Sequence, residues 1–263
     1  ICMREYLKKL YFNSSLAEFV LDRLISLRSL IIPKKYLIKS RFKRRLGYPL
    51  NLNDPKTYNE KIQWLKFNDR TELHVICADK YLVRNHIKKK IGDEYLIPLV
   101  FVTENPDTIS PSELPDYPLV IKTNHDSGGV KFVWDKEKVD WSKMKKSLKR
   151  RLSVKYDFGK EEWQYGKIQP KIIIEKIMLS ENGGIPMDYK LHCFNGKVQL
   201  IQVDIDRAVK HKRNLYDANW NLFDFRWVHE NGGKIEKPAC LSEMLRVAEV
   251  LAEEFIYVRV DLY

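Results

Sequence analysis

The run Tyr117-Pro-Leu-Val-Ile-Lys122-Thr-Asn-His-Asp-Ser-Gly-Gly129-Val-Lys-Phe-Val-Trp134 puts a lysine at the end of one β-rich stretch and two glycines in the polar loop behind it. A second β-rich stretch follows. Glycines let the backbone approach a ligand and offer it N–H groups, and a lysine beside them supplies a point charge for phosphate. Lys122 with Ser127, Gly128 and Gly129 therefore reads as a phosphate-gripping hairpin, and so as a nucleotide site. An ordinary hairpin with a lysine snorkelling from its strand end has the same local pattern.

Other charged residues stand where strands or helices end. Lys80 follows Ala78-Asp79 at the expected start of a helix, where a cation opposes the macrodipole and sits better with an anion beside it. Glu175 and Lys176 close the apolar strand Ile172-Ile-Ile-Glu-Lys-Ile-Met178, at a place where a buried strand emerges into a cleft or into solvent. Asp188, Lys190 and His192 alternate along one strand and so share a face, which suits a phosphate or a carboxylate. Asp204, Asp206 and Arg207 come at the end of the next strand, and Lys210-His-Lys-Arg213-Asn214 follows. Positive groups there could stabilise a transferring phosphoryl group or simply line a polar loop. Asp261 shares a strand face with Arg259, as an oxygen ligand for Mg²⁺ or as half of an ion pair. Walker-type Gly-Lys-Ser/Thr, Gly-x-Gly-x-x-Gly, Gly-x-Ser-x-Gly and zinc-type His/Cys spacings are all absent from the sequence.

The elements that must position these residues fall into two styles. The first third reads helical: Leu16, Phe19, Val20, Leu24 and Leu27 recur at helical spacing, Lys56 to Phe67 forms a helix after a polar break, and Thr71 to Ile91 forms one or two more, with Asp79 as a cap. From Tyr95 the pattern changes. Tyr95 to Val102 is β-rich but holds Pro98, which makes it an edge or extended segment, and Asn105 to Pro118 is a proline-rich loop. Asp140 to Ser153 is a basic helix and Lys171 to Met178 a buried strand. Tyr189 to Phe194 and Lys197 to Ile205 form a hairpin about Asn195-Gly196. Leu241 to Phe255 is an amphipathic helix capped by Ser242, and it leads into a last strand, Ile256 to Tyr263. Antiparallel hairpins with interspersed helices after a helical start mean an α+β protein with more than one lobe.

At 263 residues the chain can bury one sizeable core or two modest ones. No apolar run is long enough to span a bilayer, since Glu18, Asp22, Arg23 and Arg28 break Leu16 to Ile32. The sequence starts with Ile1 rather than Met, which leaves room for a targeting segment ahead of it. Cys2, Cys77, Cys193 and Cys240 have no metal-like spacing and point to reduced thiols in a cytoplasmic setting. The formal net charge of +12 calls for anionic partners. It is concentrated in Lys34 to Arg45, with seven bases and no acid, and again in Lys143 to Lys155.

Together these pieces resemble the ATP-grasp superfamily. The order Ala78-Asp79-Lys80, Val120-Ile-Lys122 with its glycine loop, Ile174-Glu175-Lys176-Ile177 and a terminal-strand Asp261 is similar to its pattern. Asn59-Glu-Lys-Ile-Gln-Trp-Leu65, Cys77-Ala-Asp-Lys-Tyr81, Tyr95-Leu-Ile-Pro98, Asp188-Tyr-Lys190, Cys193-Phe-Asn-Gly-Lys197 and Lys212-Arg-Asn-Leu-Tyr216 resemble the teichuronopeptide-biosynthesis (TupA-like) branch, found in bacterial capsule and exopolysaccharide gene clusters. The resemblance runs from about Pro49 to Tyr263. It implies two β-containing lobes gripping ATP, behind a helical basic N-terminal region. The divisions expected are residues 1–70 for that region, 71–176 for the small lobe with the phosphate hairpin, and 177–263 for the larger lobe. It further implies that Lys80 and Lys122 contact the α- and β-phosphates, with Asn124 to Gly129, including Ser127 and Gly128, closing over them as a lid. Glu175, Lys176, Ile177 and Met178 form the hinge against adenine and ribose. Lys190 and Arg213 meet the γ-phosphate or an acyl phosphate, and Asp261 holds Mg²⁺. The family pattern places a second metal-binding Glu and an Asn on a strand after the one bearing Asp261, beyond Tyr263, with Asp204 or Asp206 as conceivable substitutes.

The reaction so implied is ATP-dependent carboxylate–amine ligation through an acyl phosphate, joining an amino acid to a uronic acid on a surface glycan. The expected partners are ATP, a carboxylate-bearing sugar and an amine, with no nucleic acid. The setting is the cytoplasm, at the inner face of the membrane where the basic N-terminal region would dock. Two other readings share the sequence. One is an ATP-grasp kinase or transferase acting on a sugar, and the other a non-catalytic basic module on an anionic glycan or membrane.

Overall fold

The computed structural model describes residues 32–126, 128–154, 161–180, 183–205 and 211–263. The helical pattern expected from Leu16 to Leu27 lies outside them. Helix α1, Lys34–Leu46, buries Ile38 and Phe42 one turn apart, and these pack with Leu50, Tyr48 and Phe67. Its basic last turn complements the helix dipole, and Gly47 at φ 82° closes it by donating to the Lys43 carbonyl. Helix α2, Tyr58–Asn68, starts at a capping box: Glu60 N–H donates to the Thr57 hydroxyl, and Glu60 carboxylate accepts from Thr57 N–H at 2.9 Å. Helices α3, Glu72–Ala78, and α4, Val83–Ile91, flank Asp79. Asp79 Oδ1 caps the turn between them, accepting from the N–H groups of Tyr81 and Leu82 at 2.8 and 3.2 Å. Lys80 therefore sits in that turn, ahead of the regular helix.

Two four-stranded antiparallel sheets follow, making the chain α+β. The first has the order β1-β4-β2-β3, from β1 (Leu99–Thr103), β2 (Leu119–Thr123), β3 (Lys131–Val133) and β4 (Ile172–Lys176). The strand after Pro98 is at an edge, as a proline-led strand should be. Leu119, Ile121, Val133, Ile172 and Ile174 form one face of this sheet and pack against Leu148 of α5, Trp141–Leu152, a helix capped by Asp140. Alternation then commits Val120, Lys122, Phe132 and Glu175 to the other face.

The second sheet runs β7-β6-β5-β8, from β5 (Asp188–Phe194), β6 (Lys197–Ile205), β7 (Lys212–Tyr216) and β8 (Tyr257–Leu262). Asn195 and Gly196 join β5 to β6 with φ of 48° and 75°, the two positive values a two-residue hairpin turn demands. Leu191, Cys193, Ile201, Val203, Tyr216 and Val260 bury one face against Leu241, Met244, Ala248 and Ala252 of α6, Leu241–Ala252. At roughly 1.5–3 kcal/mol for each fully buried large aliphatic side chain, this is the main driving force for the lobe. The opposite face carries Asp188, Lys190, His192, Gln202, Asp204, Arg213, Arg259 and Asp261.

Two local expectations change. Ser242 does not cap α6: the cap position is Cys240, without a side-chain bond, because the chain turns earlier, with Leu241 N–H donating to the Pro238 carbonyl at 3.1 Å. The basic stretch about Arg213 is a strand rather than a loop, because Asp204 across the ladder neutralises it and Leu215 and Tyr216 anchor its far end.

Candidate functional site

The hairpin β2–β3 and the helical turn at Lys80 meet at one point. Lys80 Nζ donates to the carbonyls of Thr123 and Asn124, each at 3.2 Å, and to that of Asp126. Burial pulls its pKa down, Asp126 pushes it back up, and the nearby Lys122 ammonium pulls it down again, so the net value is lowered. Lys122 Nζ lies 2.6 Å from Glu175 Oε2, and the other oxygen of Glu175 accepts from Arg84 Nη1 at 3.0 Å. Arg84 also donates to the Ile97 carbonyl at 2.6 Å, so α4, β2 and β4 are tied at one buried carboxylate. Sequence reasoning missed Arg84. Its one signal was the spacing of a helix turn from Lys80.

Asn124 is held by the protein itself. Its side chain is fully buried: Nδ2 donates to Asp79 Oδ1 at 2.9 Å and to the Gln169 carbonyl at 3.0 Å, while Oδ1 accepts from Lys171 N–H at 2.7 Å. Three of its four side-chain bonding positions go to protein partners, so its side chain anchors the loop. Beyond it, Asp126 pairs with Arg151 of α5. Gly129 has no room for a β-carbon, which would overlap the Arg151 guanidinium and the Asp126 carboxylate, whereas Gly128 at φ 81° faces open space. Ser127 lies outside the described residues.

The residues at the end of β4, expected to face adenine and ribose, divide by direction. Lys176 and Ile177 spend their backbone N–H groups on the Pro98 and Pro118 carbonyls at 3.1 and 3.0 Å. Ile177 is buried, Met178 is 45% exposed, and Lys176 Nζ lies 5.3 Å from the centre of the Tyr117 ring.

On the second sheet Lys190 and Arg213 are brought together by one carboxylate. Asp204, its side chain 1% exposed, accepts from Lys190 Nζ at 2.9 Å and Gln202 Nε2 at 3.1 Å on one oxygen. Its other oxygen accepts from Arg213 Nε at 2.7 Å and lies 3.1 Å from His211 Nε2. Burial would raise the Asp204 pKa, but the bonds from Arg213, Lys190 and His211 prevail and hold it well below the carboxylate range. Lys190 also pairs with Asp188. A carboxylate so fully engaged by cations is not a stand-in metal ligand, and Asp206 lies outside the described residues. His192 is pushed down to about 4, first by burial and then by the Arg259 charge.

Asp261 stands across the ladder from Lys190, and Arg259 donates to both its oxygens at 2.6 and 2.7 Å. No group of three or more His, Cys, Asp or Glu side chains among the described residues is placed to hold a metal ion. This donor set does not fit a Mg²⁺ centre made by protein ligands alone. One carboxylate fits only an ion that arrives with phosphate and water ligands of its own.

A family model described as TupA-like ATPgrasp matches residues 60–263. The chain belongs to that family. Its matched region holds every residue of the two clusters, from Asp79 to Asp261. No match is found among curated proteins. Among solved structures, the D-alanine–D-alanine ligase from Bacillus anthracis complexed with ATP is 22% identical over 71% of this chain and 50% of that one, at a TM-score of 0.40. The ATP-grasp ligase PsnB complexed with minimal precursor is 9% identical over 72% and 48%, at 0.38. Its complex with a phosphomimetic variant of the precursor, Mg and ADP is 10% identical over 89% and 62%, at 0.37. The TupA-like chain thus spans about half the length of these ligases, and its family assignment rests on the sequence match. Three of its four cysteines, Cys77, Cys193 and Cys240, carry free thiols, and among the described residues no helix is long and apolar enough to cross a membrane.

Proposed function

We propose that this chain is an ATP-dependent carboxylate–amine ligase. MgATP enters as the substrate, its α- and β-phosphates against Lys80 and Lys122 beneath the 124–129 loop, its adenine along Glu175 to Met178, and its γ-phosphate toward Lys190 and Arg213. Mg²⁺, carried in on the phosphates with Asp261 beside it, supplies charge neutralisation. A carboxylate oxygen of the acceptor forms a bond to the γ-phosphorus as the bond to ADP breaks. An amine then bonds to the acyl carbon, loses a proton, and inorganic phosphate leaves. Lys190 and Arg213, held by Asp204, stabilise charge on the transferring group. The observation that carries the reading is this pairing of cation clusters on two sheets of a TupA-like ATP-grasp chain.

The acceptor we favour is a uronic-acid carboxylate of a bacterial capsule or exopolysaccharide, joined to an amino acid. The functional divisions follow as residues 1–70, 71–176 and 177–263. The exposed bases of α1, with Tyr36 and Leu46 exposed at its two ends, support docking at the cytoplasmic face of an anionic membrane. A melting midpoint raised by MgATP, and ADP release that needs both a uronic acid and an amino acid, are the expected results. ADP release with the sugar alone makes the chain a kinase instead, and no midpoint shift removes the nucleotide site.

A further inference from the structure

Two imidazole rings lie face to face beside Arg213. The rings of His211 and His229 have centroids 3.8 Å apart and planes inclined by 31°. His211 comes just before β7, and its Nε2 lies 3.1 Å from Asp204 Oδ1, the oxygen that also accepts from Arg213 Nε. His229 belongs to the segment between β7 and α6, and Arg213 holds that segment on both sides of it. Arg213 N–H donates to the Glu230 carbonyl at 2.9 Å, and its Nη1 to the Trp227 carbonyl at 3.4 Å. His229 is thereby fixed in place relative to the cation expected at the transferring phosphoryl group.

The chain is strained to put it there. His229 N–H donates to the Trp227 carbonyl at 2.8 Å across Val228, whose φ is 67°. That is a γ-turn of the rare, strained hand, with a β-branched residue at its centre. Val228 is 83% exposed, so no packing of its own calls for the turn. Strain of this kind persists where the surroundings enforce it, and it gathers at functional sites. Both imidazole rings stay half-open to solvent.

His211, Arg213 and Asp204 are the titratable and charged groups that face His229. Burial lowers its pKa first, the His211 and Arg213 charges lower it further, and Asp204 opposes them only in part. The ring is therefore neutral at pH 7, with a lone pair that can take a proton. The reaction proposed above needs such a group. An amine arrives as an ammonium, which Lys190 and Arg213 repel, and it must shed protons to bond to the acyl carbon. Asp204 cannot take one, because Lys190, Gln202 and Arg213 already donate to it. We infer that His229 is the proton acceptor for the attacking amine, with His211 as the positioning residue beneath it; this rests on the ligase reading above. As the N–C bond forms, a proton passes from the amine to a ring nitrogen of His229. The C–O bond to phosphate breaks, its electron pair leaves on phosphate, and His229 returns the proton to solvent.

The test follows ADP release with MgATP, glucuronate and glycine across the range from neutral to alkaline pH. It is repeated with hydroxylamine, an amine already neutral at pH 7. The wild type is expected to reach its plateau near neutral pH with glycine. His229→Gln is expected to lose roughly 100-fold at pH 7, to regain rate as rising pH frees the amine, and to lose far less with hydroxylamine. Its MgATP midpoint shift should stay as in the wild type. His211→Phe, which keeps a ring beneath His229, should lose less than His229→Gln. A wild-type pH profile in His229→Gln, or an equal loss with both amines, overturns the proton acceptor and leaves the ligase reading standing. No ADP release from the wild type with either amine removes the ligase reading, and the proton role with it.

Discussion

Lys190 Nζ and Asp204 Oδ2 lie 2.9 Å apart on adjacent strands, and the other Asp204 oxygen holds Arg213. The two cations expected at the transferring phosphoryl group are therefore set by one buried acid. Removing the charge leaves Arg213 without its carboxylate and Lys190 with Asp188 alone. Asp204→Asn should cost about 3–5 kcal/mol of stability, read as a lower urea midpoint at unchanged slope. A loss under about 0.5 kcal/mol, the range of an ordinary surface change, would show that the acid does not organise them.

Lys122→Ala should abolish the midpoint shift given by MgATP while leaving the ligand-free midpoint close to wild type. Glu175 keeps a partner in Arg84 at 3.0 Å, so the change does not strand a buried charge. An unchanged MgATP shift in this variant would falsify the assignment of the β2–β3 hairpin to the nucleotide.

The sheets were legible in the sequence wherever pattern and turn chemistry agreed. The buried strand expected from Lys171 to Met178, observed as Ile172–Lys176, the Asn195-Gly196 hairpin and the alternation of Asp188, Lys190 and His192 all depend on local sequence signals. Lys190, Arg213 and Asp204 could each be named, but not that Asp204 joins the other two, because an irregularity at His192/Cys193 shifts the register that the Asn195-Gly196 turn alone would set. Asn124 shows the opposite limit. A polar residue opening a glycine loop looks like a ligand contact, yet its partners, Asp79, Gln169 and Lys171, are about 45 residues away on either side. Ser242 failed as a cap for a local reason, since the Pro238 carbonyl already turns the chain into α6.

Gly129 and Gly128 should behave differently on conversion to alanine. At Gly129 a β-carbon would displace the Asp126–Arg151 pair, which joins the loop to α5. At Gly128 the space is open and the cost is that of a positive φ, roughly 1 kcal/mol. Limited proteolysis at the loop, compared with and without MgATP, reads the difference. Gly129→Ala should be cut faster in both states and Gly128→Ala much as wild type without nucleotide; equal rates for the two would mean that the ion pair does not secure the loop.

His192 predicts an acid limb to stability that carboxylates alone do not give. Its native pKa is about 4, against 6.5 when unperturbed, because burial and then Arg259 disfavour the imidazolium. The unfolded chain therefore binds the extra proton between those values and the native chain does not. Stability must rise with pH across that window, by at most about 1.4 kcal/mol per unit for one group, and be lost as pH falls through it. The depressed carboxyl of Asp204 acts in the same direction but at lower pH, from its ordinary 3.8 downward. The two can be separated by urea midpoints between pH 4 and 7. His192→Gln should flatten the slope from pH 6.5 to 4 and leave the steeper loss below it. A variant that keeps the wild-type slope in the upper window would mean that another group is taking up that proton.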